Sequence, residues 1–136
     1  MKLEGIINIS GKSELFKIIS QNKSSIIVES ITTKKRIPIY SHTQANALEE
    51  ISIYTNTTNI PLIDVFKIIF ETENGGKCIS EKSEEDKLKL YFTKIVPNYD
   101  QNRVYPSDIK KILKWYNSLH ECKIINNPIT KKNDKN

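Results

Sequence analysis

PLIDVFKIIFETENGG, Pro61 to Gly76, is where the chain changes its rhythm. Leu62, Val65, Phe66 and Ile69 recur at spacings of three and four residues, which lines one side of an α-helix; upstream, apolar residues recur with a period of two. Pro61 is tolerated at the helix start, where its missing N–H removes no intrahelical bond. Asn74, Gly75 or Gly76 supplies the left-handed residue that ends the helix. Strands before this point and helices after it make an α+β chain.

Upstream, LEGIINI, LFKIIS, SIIVESI, RIPIY and ISIYT are short runs rich in β-branched residues, separated by polar turns such as QNKS and TTKK. In the third run Ile26, Val28 and Ser30 face opposite to Ile27, Glu29 and Ile31. Pro38 removes a ladder donor from the fourth run and points to a strand edge or bulge. SHTQANALEE, between the fourth and fifth runs, has room for about one helical turn. Five strands with tight connections fit a five-stranded SH3-like β-barrel over residues 1–57.

Downstream, the chain predicts a three-helix C-terminal subdomain over residues 58–125. SEEDKLKLYFTKIV opens with a capping-box-like Ser83-to-Asp86 spacing and carries the stripe Leu88, Tyr91, Phe92 and Ile95. SDIKKILKWYNSLHE begins the third helix, Ser107 to about Cys122, which buries Ile109, Ile112, Leu113, Tyr116 and Leu119. Residues 126–136 show no periodicity and read as a disordered basic tail.

Charge restrains any reading built on basicity. The chain of 136 residues carries +5, but from Lys123 onward four lysines face one aspartate, so most of the excess lies in the tail. Lysine outnumbers arginine 19 to 2, a bias that AT-rich coding also produces. There is no run of about 18 apolar residues to span a bilayer, and the first ten residues lack the form of a secretory signal, so the expected compartment is cytoplasmic. Two cysteines, Cys78 and Cys122, suit reduced thiols rather than a disulfide framework.

Several chemistries are disfavoured. NGGKCIS contains Gly-Lys, but Glu71 stands where a phosphate loop needs its first glycine and Cys78 stands at the hydroxyl position. His120 and Cys122 are two apart on a helix and diverge by about 200°, so they make no metal pair. Only two histidines are available to activate a nucleophile. Glu49–Glu50 and Glu84–Glu85–Asp86 are paired carboxylates, read more simply as a solvated turn and a helix N-terminus. The sequence therefore points to a protein that is not an enzyme and needs no cofactor or metal.

Binding residues are the better candidates. Lys34, Lys35 and Arg36, with Tyr40 close by, lie at a turn, either as a ligand surface or as charges that blunt an edge strand. On the last helix Lys110, Lys111 and Lys114 fall near 100°, 200° and 140°, the buried stripe near about 340°, and Trp115 near 240° at the border. Trp115 stacks on a base, lies at a membrane interface or, most simply, packs against a neighbouring element. Arg103 is notable where lysine dominates; its planar fork suits Asp100 or Asp108 within the loop, or a phosphate or acidic protein patch outside it. RNA or a ribonucleoprotein, contacted through these basic loops, is the first expected partner. A protein–protein adaptor, as a homodimer or with another acidic partner, using the barrel edge or Tyr99 and Tyr105, is the alternative.

NISGKSELFKIISQ, SIIVESI, KKRIPIY, ALEEISIYT, NGGKCIS and above all PNYDQNRVYPSDIKKILKWYN resemble, in the same order, an uncharacterised family of small cytoplasmic Bacteroidota proteins. That family comprises two domains of unknown function, and the resemblance covers about residues 1–122. It implies a β-rich N-terminal domain and a helical C-terminal one, and it assigns no catalytic residue.

Overall fold

The computed structural model describes residues 2–125; the expected tail lies outside them. The chain is mixed α+β and divides into two compact units, Leu3–Ile51 and the segment from Ser52 onward.

In the first unit β1 (Ile6–Ile9), β2 (Leu15–Gln21), β3 (Ile26–Ser30), β4 (Arg36–Ile39) and β5 (Ala45–Ala47) form an antiparallel sheet in the order β4-β3-β2-β1-β5. Ile7, Ile9, Phe16, Val28 and Ile39 form its buried cluster, flanked by the partly buried Ile18, Ile26, Ile37 and Ala47. The pairings Ile7↔Phe16, Ile18↔Val28 and Val28↔Ile37 put these side chains on one face, as the period of two requires. Between Ile18 and Ser20 the β2–β3 register shifts by one, leaving Ile19 as the extra residue of a bulge. Such a bulge bends and twists its strand.

Two expectations need correction. The five strands do not close into a barrel, because β4 and β5 are the two edges of an open sheet. The fifth strand is also Ala45–Ala47, not the Ile51–Thr55 run. Ala47, half-buried, lies opposite Ile7 and packs beside the buried cluster, whereas Ala45, opposite Ile9, is exposed. Alanine and asparagine are weak strand formers, and propensity alone passes over them. The helical turn follows as a 3-10 segment, Leu48–Glu50, with Leu48 buried. Ile51–Thr55 instead supplies β6 (Ser52–Ile53), which pairs with β7 (Ile60–Pro61) in a separate ribbon of the second unit.

The second unit continues with α1 (Leu62–Thr72), α2 (Glu85–Ile95) and α3 (Pro106–Glu121). The three stripes read from the sequence are all buried, and Trp115 joins that of α3. Phe66 tilts against Tyr116 at 5.9 Å and Phe92 meets Tyr99 edge-on at 5.0 Å, so aromatic contacts reinforce the helix packing. At the end of α1, Asn74 (φ 53°) and Gly75 (φ 85°) take the left-handed conformation, and the Gly75 N–H returns to the Phe70 carbonyl at 2.8 Å. A Cβ on Gly75 would only touch the Phe70 ring, at 3.4 Å, so the positive φ rather than lack of space calls for glycine here. The Ser83 capping box does not form: Glu84 is the N-cap of α2, without a side-chain bond. At α3 the Asp108 carboxylate accepts the Tyr105 N–H at 2.9 Å. No described helix is long and apolar enough to cross a membrane.

Candidate functional site

On the first unit the basic turn is built around a buried hydroxyl. Ser30, 1% exposed, donates to Glu14 Oε2 at 2.9 Å and accepts the Thr33 N–H at 3.1 Å and the Thr32 N–H at 3.3 Å. The Ser30 N–H reaches the Lys35 carbonyl and the Lys34 N–H the Ser30 carbonyl, closing the turn at both ends. Lys34 is held at φ 66°, a left-handed conformation that a side chain bearing a Cβ adopts at a cost of about 1 kcal/mol. Lys34 and Lys35 are exposed and make no ion pair among the described residues. Arg36 is different: its Nε donates to Glu29 Oε1 at 2.9 Å across the β3–β4 ladder.

Arg36, Pro38 and Tyr40 are exposed in alternation along β4 and its end. Tyr40 is 49% exposed and its ring lies parallel to His42, 6.1 Å between centroids. The Tyr40 N–H bonds Thr43 Oγ1 and the Thr43 N–H returns to the Tyr40 carbonyl, fixing this second turn. Because the Ser30–Lys35 pair is hydrogen-bonded, the alternation of an antiparallel ladder turns the nitrogen of Pro38 towards the open edge. Proline there withholds a donor from strand addition.

On the second unit the segment after α1 is tied to α3. Asn117 Oδ1 accepts the Cys78 N–H at 2.9 Å, and Asn117 Nδ2 donates to the Cys78 and Ile79 carbonyls, each at 3.3 Å. The Tyr116 hydroxyl donates to the Gly76 carbonyl at 2.8 Å. The Gly75 carbonyl lies 2.7 Å from His120 Nε2, so that nitrogen carries the proton, while the buried Nδ1 has no partner among the described residues. The Gly-Lys sequence is thus a strap, with its carbonyls turned to the helix rather than its N–H groups gathered around a phosphate. Burial, and secondarily the Glu73 carboxylate, push the Cys78 thiol up to about 12. Burial likewise raises Tyr116, and raises Tyr91, whose hydroxyl donates to Glu73.

Beside the strap lies an open cleft of about 400 Å³, lined by Lys77, Ser80, Glu81, Lys114, Ser118 and Glu121 among others. Lys77 pairs with Glu121 at 3.7 Å, so opposite charges share the cleft. Of the predicted helix residues, Lys114 borders this cleft and is partly exposed, whereas Lys110 is exposed. Trp115 is 9% exposed, although the helical wheel put it at a border. Among the described residues no three His, Cys, Asp or Glu side chains are grouped to hold a metal.

Arg103 keeps company that the sequence reading only half anticipated. Its Nε lies 3.6 Å from Asp100 Oδ2, the within-loop partner, and its guanidinium also stacks over the Tyr54 ring at 4.9 Å. Tyr54 comes from β6's end, where the Asp100 N–H bonds its carbonyl at 2.9 Å. Tyr54 is 44% exposed and Tyr105 58%, but Tyr99 is buried against Phe92. The loop is closely braced: Asn102 N–H to Asp100 Oδ1, Val104 N–H to the Asp100 carbonyl, and Asn98 Nδ2 to Thr57 Oγ1. No local signal in the sequence links Tyr54 to Arg103, since the pairing depends on the Thr55–Tyr99 bridge.

A five-stranded antiparallel sheet followed by three helices defines a two-unit α+β protein. The chain belongs to the family described as Domain of unknown function (DUF6852), which matches residues 51–119, and Domain of unknown function (DUF5606) matches residues 3–48. It is similar to a protein of Bacteroides vulgatus solved by solution NMR as a structural-genomics target: 40% identity, 92% of this chain and 90% of the other covered, TM-score 0.75. No curated protein matches the chain.

Proposed function

We propose that this protein is a noncatalytic cytoplasmic binding module that recognises single-stranded RNA, free or within a ribonucleoprotein, through the turn and edge of its first unit. We read the meander with β5 beside β1 as an SH3-like sheet left open. Lys34 and Lys35 neutralise phosphates, and Tyr40 stacks on an unpaired base. Arg36, held by Glu29, contributes less than its charge suggests.

The observation that carries the reading is Lys34. A lysine stands in left-handed backbone at the tip of a turn, where glycine would fit more easily, and its ammonium has no ion-pair partner among the described residues. Strain of this kind at an exposed, braced turn is a reason to look for a ligand. The second unit adds Lys110 and Lys114 only as a diffuse positive field.

Fluorescence anisotropy with a labelled single-stranded RNA, over a salt series, tests the proposal. Two phosphate contacts on a single strand contribute about 1.4 to the slope of log K against log salt, so K34A/K35A should flatten it by that amount. Lys34→Gly should weaken binding while leaving the fold as stable or more so. An unchanged slope in the double variant, or no binding even at low salt, would sink the RNA reading.

A further inference from the structure

We propose that Arg103, Tyr54 and Tyr105 form a second docking surface, for a protein segment that brings a carboxylate side chain against an apolar neighbour. The inference goes beyond RNA recognition and does not depend on it, because the residues belong to the other unit.

The guanidinium is only partly used. Asp100 engages Nε and Tyr54 covers one face, while the two terminal amino groups make no hydrogen bond among the described residues. The side chain is 64% exposed. A fork of two parallel N–H donors is the shape that a carboxylate accepts in a bidentate manner. The tyrosine beneath it and the braced loop fix its direction before any ligand arrives, which lowers the entropy cost of binding. Tyr54 and Tyr105 are two of the five exposed large hydrophobic side chains among the described residues, and Tyr beside Arg is the composition of interface hot spots. In a chain with 19 lysines and 2 arginines, the guanidinium here also resists the compositional bias.

Charge selects the class of partner. Asp100 is part of the patch and Asp108 caps the helix beside Tyr105, so Arg103 is one cation next to two carboxylates. A polyanionic backbone would meet those carboxylates at successive phosphates. A single carboxylate on an otherwise apolar segment meets only the fork and the rings.

The test is selection of a random 12-residue phage-displayed peptide library on the full chain, followed by titration of the selected synthetic peptides. The expected result is peptides sharing an Asp or Glu next to an apolar residue, whose binding shifts the Arg103 Nε–H and the Tyr54 and Tyr105 ring signals in NMR. Arg103→Lys should weaken them at least tenfold, and Tyr105→Ser several-fold, with thermal unfolding of both variants unchanged because both side chains are exposed. Replacing the selected Asp or Glu by Asn or Gln should abolish binding. Failure to select any peptide, selection of peptides without a shared acid, or indifference to Arg103→Lys would each overturn the proposal. So would a single-stranded RNA that shifts the same signals and loses affinity on Arg103→Lys.

Discussion

Asn117→Ala isolates the bond that holds the strap to α3. The side chain makes one short bond to the buried Cys78 N–H and two longer ones, each 3.3 Å, to the Cys78 and Ile79 carbonyls. A good neutral bond contributes about 1 kcal/mol net and a long one about half of that, which gives about 2 kcal/mol. If the Cys78 N–H is left without an acceptor, its desolvation raises the loss towards about 3 kcal/mol. The chain's one tryptophan, Trp115, lies two residues away on the same helix, so its fluorescence reports the unit being perturbed. With a urea m-value of about 1.5 kcal/mol/M, the midpoint of that transition should fall by about 1.3 to 2 M. Asn117→Asp separates the donor from the acceptor. At neutral pH its second oxygen faces the two carbonyls, so the Asp variant should be no more stable than the Ala variant. Protonation would restore a donor, so the folded state raises that carboxyl's pKa, and part of the deficit should be recovered at lower pH. A shift below 0.3 M for the Ala variant, a threshold of about half a kcal/mol at that m-value, would show that the strap is held by packing rather than by Asn117.

Three further outcomes test the electrostatics and the burial. With Cys78 pushed up to about 12, about one thiol in ten thousand is ionised at pH 8, against about a quarter for an ordinary cysteine; a thiol reagent should therefore label Cys78 about a thousandfold more slowly in the folded chain than in the urea-unfolded chain. The same raised value has a sign for stability: the unfolded chain releases the Cys78 proton above about pH 8.5 while the folded chain keeps it. Urea midpoints should thus be level up to about pH 8 and then fall, more steeply above about 10 as the raised tyrosines Tyr91 and Tyr116 join; a flat profile to pH 11 would refute the burial assigned to this group. Trp115 should show blue-shifted emission, weak quenching by iodide, and no change on RNA binding; strong quenching by RNA would put a base against a side chain described here as buried.

The helices were legible because their information is local. A stripe such as Leu88, Tyr91, Phe92 and Ile95 repeats at the helix period whatever it packs against, and all four side chains are buried. Trp115 shows where a wheel stops short: its angle places it at the border of the stripe, but how far the surrounding chain closes over a border residue is a tertiary matter, and here it is 9% exposed. Ala45–Ala47 shows the same limit for strands. Its three residues pair because β1 offers Ile7 and Ile9 opposite small side chains, and that demand is written in β1, nearly 40 residues earlier. Closure of the sheet was illegible for a related reason, since it depends on the bend at the Ile19 bulge and on how two short edges end.

The candidate surfaces divide along the same line. The Lys34–Lys35 turn could be read directly, because turn residues between two alternating runs carry their own signal; what the sequence withheld was that Glu29 takes Arg36 out of the group. Arg103 could be singled out by rarity, and Asp100, three residues away, was within local reach. Tyr54 was not, being 49 residues distant and brought in by a single bridge between Thr55 and Tyr99. The helical lysines are the converse case. Lys110 and Lys111 are conspicuous in the sequence and exposed, yet among the described residues no aromatic contact or bracing hydrogen bond of their side chains organises them, as Tyr54 and Asp100 organise Arg103. An unbraced lysine retains its rotamer freedom and loses it on binding, a cost of up to about 2 kcal/mol that a stacked guanidinium has already met in folding. Recognition by this chain is therefore expected to reside in the Asn98–Tyr105 turn, where the guanidinium is already placed, and in the Ser30–Arg36 turn, where the hydrogen bonds fix the backbone that presents Lys34 and Lys35 although their side chains still lose rotamer freedom on binding.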